Sequence, residues 1–466
     1  MMVDMSIFRE YDIRGIFNRN LTKDITFGIG ALIGERIQAN GEDSIIIGYD
    51  ARVHSLNLYE WLQDGLTSKG IKVYCIGLIP TPVAYFATCN VIDGISTTNS
   101  IMITGSHNPP QYNGFKITLK AKPFYGQDIK ELGNQLCATA ISYISNFSKT
   151  QKIDALSSYQ EYLIKHFEKL RNFPYKIVLD YGNGVGSIGM DRILDVLHIQ
   201  YDSLFATPDG NFPNHHPDPS EEKNLLAIKD YMTKHQIPIG LAFDGDADRI
   251  ALLSLHHSYK GDELAILFAQ EMANKGMKPL VIGEVKCSQI MYDEINKIGK
   301  SVMYKTGHSN LKIKLKELNA HLAAEMSGHL FFNDRYFGYD DAIYGALRAL
   351  ELFLTHTPKE LENNIKNLPH SYSTPEEKIS ATEETKFLII DELYKILQNP
   401  PSDFPKILDI ITIDGVRVVF ENGWGLVRAS NTTPVLVTRF EAKNKVNADF
   451  YKQKLLALIE EIKNKI

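Results

Sequence analysis

Three times in the first three-quarters of the chain, a set of three short apolar runs rich in Ile and Val recurs, separated by helix-patterned stretches. The runs lie at 44–48, 71–76 and 100–104, at 176–180, 199–205 and 239–243, and at 280–283, 301–304 and 321–325. Apolar runs alternating with amphipathic stretches are the pattern of α/β units with parallel strands. Recurrence in the same order marks related units. In each set the third run enters an unusual polar loop: Thr104-Gly105-Ser106-His107-Asn108-Pro109, Asp244-Gly245-Asp246-Ala247-Asp248-Arg249, and Glu325-Met326-Ser327-Gly328-His329. Open α/β sheets bind ligands at the carboxyl ends of their strands, so three related units can present three different loops to one cleft.

The chain has 466 residues, beyond the roughly 250–300 at which one core stops growing. The last hundred residues read differently. Residues 410–420 alternate around Asp414-Gly415, a hairpin signal, and a final helix is predicted from about Asn447. Polar stretches at 145–152 and 369–377 read as linkers. The expected fold is α/β, with three related mixed-sheet α/β domains and a smaller C-terminal α+β domain around a central cleft. The expected divisions are 1–149, 150–251, 252–367 and 368–466.

Net charge is −6, with no dominant Lys/Arg block, so nucleic acid is not an expected partner. No run of about 18 apolar residues suggests a membrane span, and the charged, h-region-free N-terminus is unlike a signal peptide. Cys75, Cys89, Cys137 and Cys287 are widely spaced and read as reduced thiols, so a cytoplasmic protein is expected.

Ser106 stands where an apolar strand stops at a Gly-Ser turn, which predicts an exposed hydroxyl. A serine nucleophile needs a base or cation nearby, and His107, Lys116 and backbone N–H groups are candidates. Asp244, Asp246 and Asp248, at i, i+2 and i+4 after an apolar run, suit one hard cation, with Mg²⁺ satisfied by a few carboxylates and a phosphate oxygen. An EF-hand loop needs Gly at position six and Glu at twelve, where this chain has Arg249 and Leu255. Glu325, Ser327 and His329 offer groups for sugar hydroxyls, although a helix-start turn explains the same string. Arg428-Ala429-Ser430-Asn431-Thr432-Thr433 groups a guanidinium with hydroxyl and amide donors, which suits a phosphate dianion. Residues 184–189 match G-x-G-x-x-G, and Asp202 lies near the spacing of a ribose-binding acid. Asp202 is expected inside its strand, however, which leaves close helix–strand packing as the simpler role of these glycines.

Taken together, YDIRG, TGSHNPPQYNGFK, PDGNFPNHHPDP, DGDADR, TGHSN, EMSGH and RASNTTP resemble the α-D-phosphohexomutase family over nearly the whole chain, and most resemble its bacterial phosphomannomutase/phosphoglucomutase branch. The resemblance implies four domains around one cleft and a phosphoserine at Ser106. It implies Mg²⁺ on Asp244, Asp246 and Asp248, completed by the serine's phosphate. Tyr11, Arg14 and Lys116 would lie near the transferring phosphate, with Arg249 beside the metal. Glu325, Ser327 and His329 would hold the sugar, helped by Lys286 and His308, and Arg428, Ser430, Asn431 and Thr432 the non-reacting phosphate. Lys116 or His308 would exchange the hydroxyl proton. The implied reaction interconverts hexose 1-phosphate and 6-phosphate of mannose or glucose, with a hexose 1,6-bisphosphate as intermediate and activator. The implied partners are small hexose phosphates only, and the chain is expected to be a monomer. Ala324 departs from the family's usual Gly before the Glu. Met326 fits the hexose branch, since phosphoglucosamine mutases, the nearest alternative, usually place Gln there. A haloacid-dehalogenase-type sugar phosphatase, with Asp244 as nucleophile, usually carries this motif near its N-terminus and Thr or Val where Asp248 stands.

Overall fold

The computed structural model describes residues 3–139, 142–145, 150–430 and 433–466. Each of the three strand sets builds a sheet of the same core order. In the first, Tyr112–Leu119, Ser100–Ile103, Ser44–Tyr49 and Lys72–Leu78 lie side by side. In the second the order is Ile250–Ser254, Ile239–Phe243, Ile177–Asp180, Tyr201–Leu204. In the third it is Leu330–Phe332, Leu322–Ala324, Leu280–Glu284, Lys300–Tyr304. Three strands of each set are parallel, and the strand that follows the polar loop returns antiparallel beside the third. The sheets are therefore mixed, and each polar loop is the same hairpin connection in a different unit. The string at 325–329 is thus a hairpin turn and not a helix start.

Period-two alternation decides which way each central strand faces. On Ser44–Tyr49, Ile46 joins a large core shared with the second and third units, while Ile45 and Ile47 face the first unit's own helices. A fully buried aliphatic side chain contributes roughly 1.5–3 kcal/mol. One continuous core through three units therefore holds their loop-bearing edges together.

The fourth unit is an antiparallel sheet in the order Tyr372–Ser373, Val435–Ala442, Gly423–Ala429, Val416–Phe420, Ile407–Ile411. Helices Thr385–Gln398 and Lys445–Lys463 pack on it in a separate core. The hairpin turns at Gly415, whose φ is +78° and so suits glycine. Both predicted linkers carry strand: Gln151–Lys152 extends the first sheet and Tyr372–Ser373 the last. Of the first linker, residues 146–149 lie outside the described residues. No described helix is long and apolar enough to cross a membrane.

Asp202 does sit within strand Tyr201–Leu204, where Lys176 and Tyr231 engage it. The glycines of 184–189 serve close approach. A Cβ on Gly184 would lie 2.6 Å from the carbonyl of Gly245, and one on Gly189 2.3 Å from Ile343.

Candidate active site

Ser106 follows strand Ser100–Ile103 with φ at +47°, a left-handed conformation that a non-glycine residue adopts at a cost. Its loop is fixed from below. Thr104 Oγ1 accepts from Ser106 N at 2.8 Å and donates to Asp50 Oδ2 at 2.7 Å. The buried Arg52 guanidinium donates to the carbonyls of Ser106, Asn108, Pro109 and Tyr112 at 2.6–2.9 Å. Gly105 is required where it stands, because a Cβ would fall 2.5 Å from the Arg52 guanidinium carbon. Arg14 adds bonds to Gly105 O at 2.6 Å and Asn108 Oδ1 at 2.7 Å, and Asp12 orients it.

The expected exposure of Ser106 is not observed: the residue is 2% exposed. The metal-type loop of the second unit covers it, since a Cβ on Gly245 would lie 2.6 Å from Ser106 O. The hydroxyl instead donates to Asp244 Oδ2 at 2.8 Å and lies 3.1 Å from His107 Nδ1.

Asp244, Asp246 and Asp248 are fully buried, and their carboxylate oxygens converge within 4.8 Å of one another. Asp244 Oδ1 accepts the N–H groups of Asp248 and Arg249, which curls the loop. Burial, with repulsion from Asp248 and Asp246, pushes Asp244 well above the usual carboxylate range. Burial also pushes Asp246 and Asp248 up, but Lys116 with Thr81 at Asp246, and Lys116 with His329 and Arg249 at Asp248, together outweigh it and their pKa values fall. Lys116 donates to Asp246 Oδ2 at 2.6 Å and to Asp248, and Thr81 to Asp246 at 2.5 Å. Asp246 Oδ1 is buried with no hydrogen-bond partner among the described residues. An unpaired oxygen beside two further carboxylates fits a divalent cation, since burying such charge uncompensated is costly. The three aspartates form an acidic metal-binding group.

The third unit's loop meets the second's back to back: Ile250 N donates to Gly328 O at 3.1 Å, with Gly328 at φ +94°. His329 bridges two acids, with Nδ1 2.5 Å from Glu325 Oε2 and Nε2 3.0 Å from Asp248 Oδ1. Burial alone would lower its pKa, but these acids raise it to about 9. His329 is therefore doubly protonated, and the 3.3 Å approach of Arg249 Nε to Nε2 is a contact between donors. Arg249 also stands 3.8 Å from Asp218. Glu325, held to about 2 despite burial chiefly by His329, also accepts Gly307 N at 2.6 Å. Ser327 is half-buried on the same loop.

His308 opens helix His308–Glu317, with Tyr11 edge-on at 6.1 Å and the Tyr11 hydroxyl donating to Thr306 O at 2.8 Å. Lys286 is paired with Glu376 at 3.0 Å. The Lys286 loop is fastened by the last unit. Arg417, stacked 3.7 Å over Trp424, donates to the carbonyls of Val285 and Cys287, and Arg439 to that of Lys286 at 2.8 Å. Arg428 is buried and donates to Asp414 Oδ2 at 3.1 Å, which also accepts Thr306 N at 3.1 Å. Ser430 Oγ lies 2.9 Å from Thr433 Oγ1. Asn431 and Thr432 lie outside the described residues.

Sequence reasoning passed over Arg52, Asp50, Thr81 and Asp414. Asp50 and Arg52 directly follow strand Ser44–Tyr49, the strand-end position that drew attention to the other loops. Thr81 carried no local signal, because it works on a partner far along the chain, and Asp414-Gly415 signalled only its hairpin.

Residues 5–139, 157–256 and 260–372 match, in order, the models of phosphoglucomutase/phosphomannomutase α/β/α domains I, II and III. Residues 377–458 match the C-terminal domain of the same set. A phosphomannomutase/phosphoglucomutase of Pseudomonas aeruginosa is 40% identical over 94% of this chain and 92% of its own. The chain belongs to the phosphoglucomutase/phosphomannomutase family. A phosphoglucomutase of Neisseria gonorrhoeae is 38% identical over 98% of this chain and 97% of its own. The crystal structure of a family protein from Burkholderia thailandensis superposes with a TM-score of 0.89 at 35% identity, covering 99% and 98% of the two chains. As a member of this family, the chain is an isomerase of the intramolecular phosphotransferase kind.

Proposed function

We propose that this enzyme interconverts the 1-phosphate and 6-phosphate of mannose or glucose through a phosphoserine at Ser106 and a hexose 1,6-bisphosphate, which also serves as activator. The observation that carries the reading is the Ser106 hydroxyl 2.8 Å from Asp244, inside a convergence of three buried carboxylates. A phosphate on that oxygen would add a dianion to the cluster. Mg²⁺ on Asp244, Asp246, Asp248 and the phosphoserine oxygen would neutralise it.

Phosphoryl transfer depends mostly on positioning and charge neutralisation. Arg14 and Lys116 bring cations to the serine loop and the carboxylates, and Arg249 adds a third. Glu325, Ser327 and His329, with Lys286 and His308, hold the sugar hydroxyls, and Tyr11 lies near the transferring phosphate. Arg428, Ser430, Asn431 and Thr432 take the phosphate that is not reacting. As the free sugar hydroxyl oxygen bonds to phosphorus, the P–Oγ bond of phosphoserine breaks and its electron pair stays on Ser106 Oγ. The hydroxyl proton passes to His308; Lys116, the other candidate, is already an ammonium held by Asp246 and Asp248 and cannot take it. In the return half-reaction Ser106 Oγ attacks the other phosphate, and the proton goes back to the sugar oxygen that is released. We read the chain as a cytoplasmic monomer acting on small hexose phosphates, with domain divisions near 150, 252 and 368.

The test is a coupled assay with mannose 1-phosphate and glucose 1-phosphate, alongside intact-mass analysis of freshly purified protein. Turnover of at least one substrate and a phosphate-sized addition mapping to Ser106 are expected. Hydrolysis to free sugar without isomerisation would sink the reading.

A further inference from the structure

Asp340 follows the third sheet, bridged to Phe331, and is fully buried. Its Oδ1 accepts a hydrogen bond from Lys312 Nζ at 2.8 Å. Its Oδ2 has no hydrogen-bond partner among the described residues and lies 3.6 Å from His308 Nδ1. Neither ring nitrogen of His308 has a hydrogen-bond partner among the described residues, although the residue is buried. His308 and Lys312 are one turn apart on helix His308–Glu317, so one helix face offers an imidazole and an ammonium to a single carboxylate. Two unsatisfied groups facing each other in a buried site are costly apart and stabilising together. Asp340 also lies near Asp248 and His329, in a group spaced as a cation site would be. Lys312 on Asp340 and Lys116 on Asp248 already supply the positive charge there, so a second metal does not fit.

We infer that Asp340 is a positioning residue for His308: its free oxygen takes the Nδ1–H, fixes that tautomer and leaves Nε2 as the proton acceptor. This rests on the reading of His308 as a group that exchanges the sugar hydroxyl proton. The 3.6 Å separation is longer than a hydrogen bond, and catalytic hydrogen bonds of this kind often tighten only when substrate is bound. The other groups around the ring are Tyr11, His329, Asp248, Lys116 and Lys312. Burial, with Lys312 and Lys116, holds His308 well below its ordinary pKa, so the ring is neutral and has a tautomer to fix. A carboxylate behind a histidine acts in this way in other enzymes, and its amide replacement imposes the wrong tautomer.

The experiment uses the full chain labelled with ¹⁵N-histidine. In wild type, His308 should show the Nδ1–H tautomer. In Asp340→Asn, Lys312 keeps the amide oxygen and the NH₂ turns to His308, so the Nε2–H tautomer should take over. Turnover should fall about 100-fold, with KM changed less than about threefold because every group that binds the substrate stays in place. In a His308→Gln background the same change should cost nothing further. Lys312→Met/Asp340→Leu removes both buried charges together, guards against misfolding, and should also abolish the Nδ1–H preference, because nothing is left there to accept that proton. An unchanged His308 tautomer in both variants, or multiplicative losses in the double mutant with His308→Gln, would overturn the proposal. Wild-type turnover in His308→Gln would overturn the proton role of His308 and the catalytic meaning of Asp340 with it. The tautomer spectrum separates that failure from a failure of the hold itself.

Discussion

Ser106 Oγ lies 2.8 Å from Asp244 Oδ2 although 138 residues separate them. The serine comes from the first α/β unit and the carboxylate from the second, each at the same hairpin position of its own sheet. The serine hydroxyl and the metal group are therefore brought together by packing between units. Their separation is sensitive to anything that shifts one unit on the other.

The metal group should be a requirement and not an ornament. Asp246→Asn removes the carboxylate whose Oδ1 is unpartnered, while Lys116 keeps Asp248. Titration calorimetry with Mg²⁺ should show affinity weakened by at least about tenfold, with a circular dichroism spectrum like wild type. Activity should vanish in excess chelator and return with Mg²⁺; full activity in chelator would remove the assignment.

Arg428→Ala should raise KM in both reaction directions. Removing a charge-assisted, desolvated hydrogen-bonding group of this kind typically costs about 2–5 kcal/mol, or roughly 30-fold to several thousand-fold in binding. Both isomers must present their distal phosphate to the same loop, so forward and reverse KM should rise together. A folded variant with both values unchanged would make the loop structural.

Arg52 should matter without touching substrate. It satisfies four carbonyls of the Ser106 loop and pairs with Asp50 at 3.3 Å. Arg52→Leu leaves those acceptors and a buried acid uncompensated, which should destabilise the protein by about 3–5 kcal/mol. Arg52→Lys should recover only part of this, since an ammonium lacks the planar fork that reaches several carbonyls. Urea midpoints of the three proteins decide it.

The Glu325–His329 pair sets a pH window. Glu325 is lowered from 4.5 to about 2, so its contribution is complete above pH 4.5 and fades as pH falls toward 2. His329 is raised from 6.5 to about 9, so its contribution is complete below pH 6.5 and fades as pH rises through 9. Both contributions are whole only between about pH 4.5 and 6.5. Thermal unfolding of chelator-treated Glu325→Gln should show its largest deficit in that window, on the order of 3 kcal/mol. An equal deficit at every pH would mean the loss is packing.

Much of this site is legible in the sequence because buried parallel strands leave near-continuous apolar runs, such as 239–243, whose ends mark the loops. The return strand Ile250–Ser254 is harder to separate, since it abuts Arg249 with no turn residue between. The burial of Ser106 is invisible in its own segment, because Gly245 of another unit covers it. Arg52 has only its place after a strand to mark it, and Asp340 is silent: a lone Asp announces nothing until its partners arrive from elsewhere in the chain.

The fastening of the Lys286 loop has a further consequence. The carbonyls of Val285, Lys286 and Cys287 are all held by arginines of the last unit, which also carries Arg428. If that unit swings away, Lys286 and Arg428, proposed to hold the ring and the distal phosphate, loosen in a single event. In the proposed mechanism, a bisphosphate exchanging its ends would then be kept from diffusing off by the opposite wall alone, the serine loop and the carboxylates. That wall acts as a leash, and its strength sets how often the intermediate escapes before it is used.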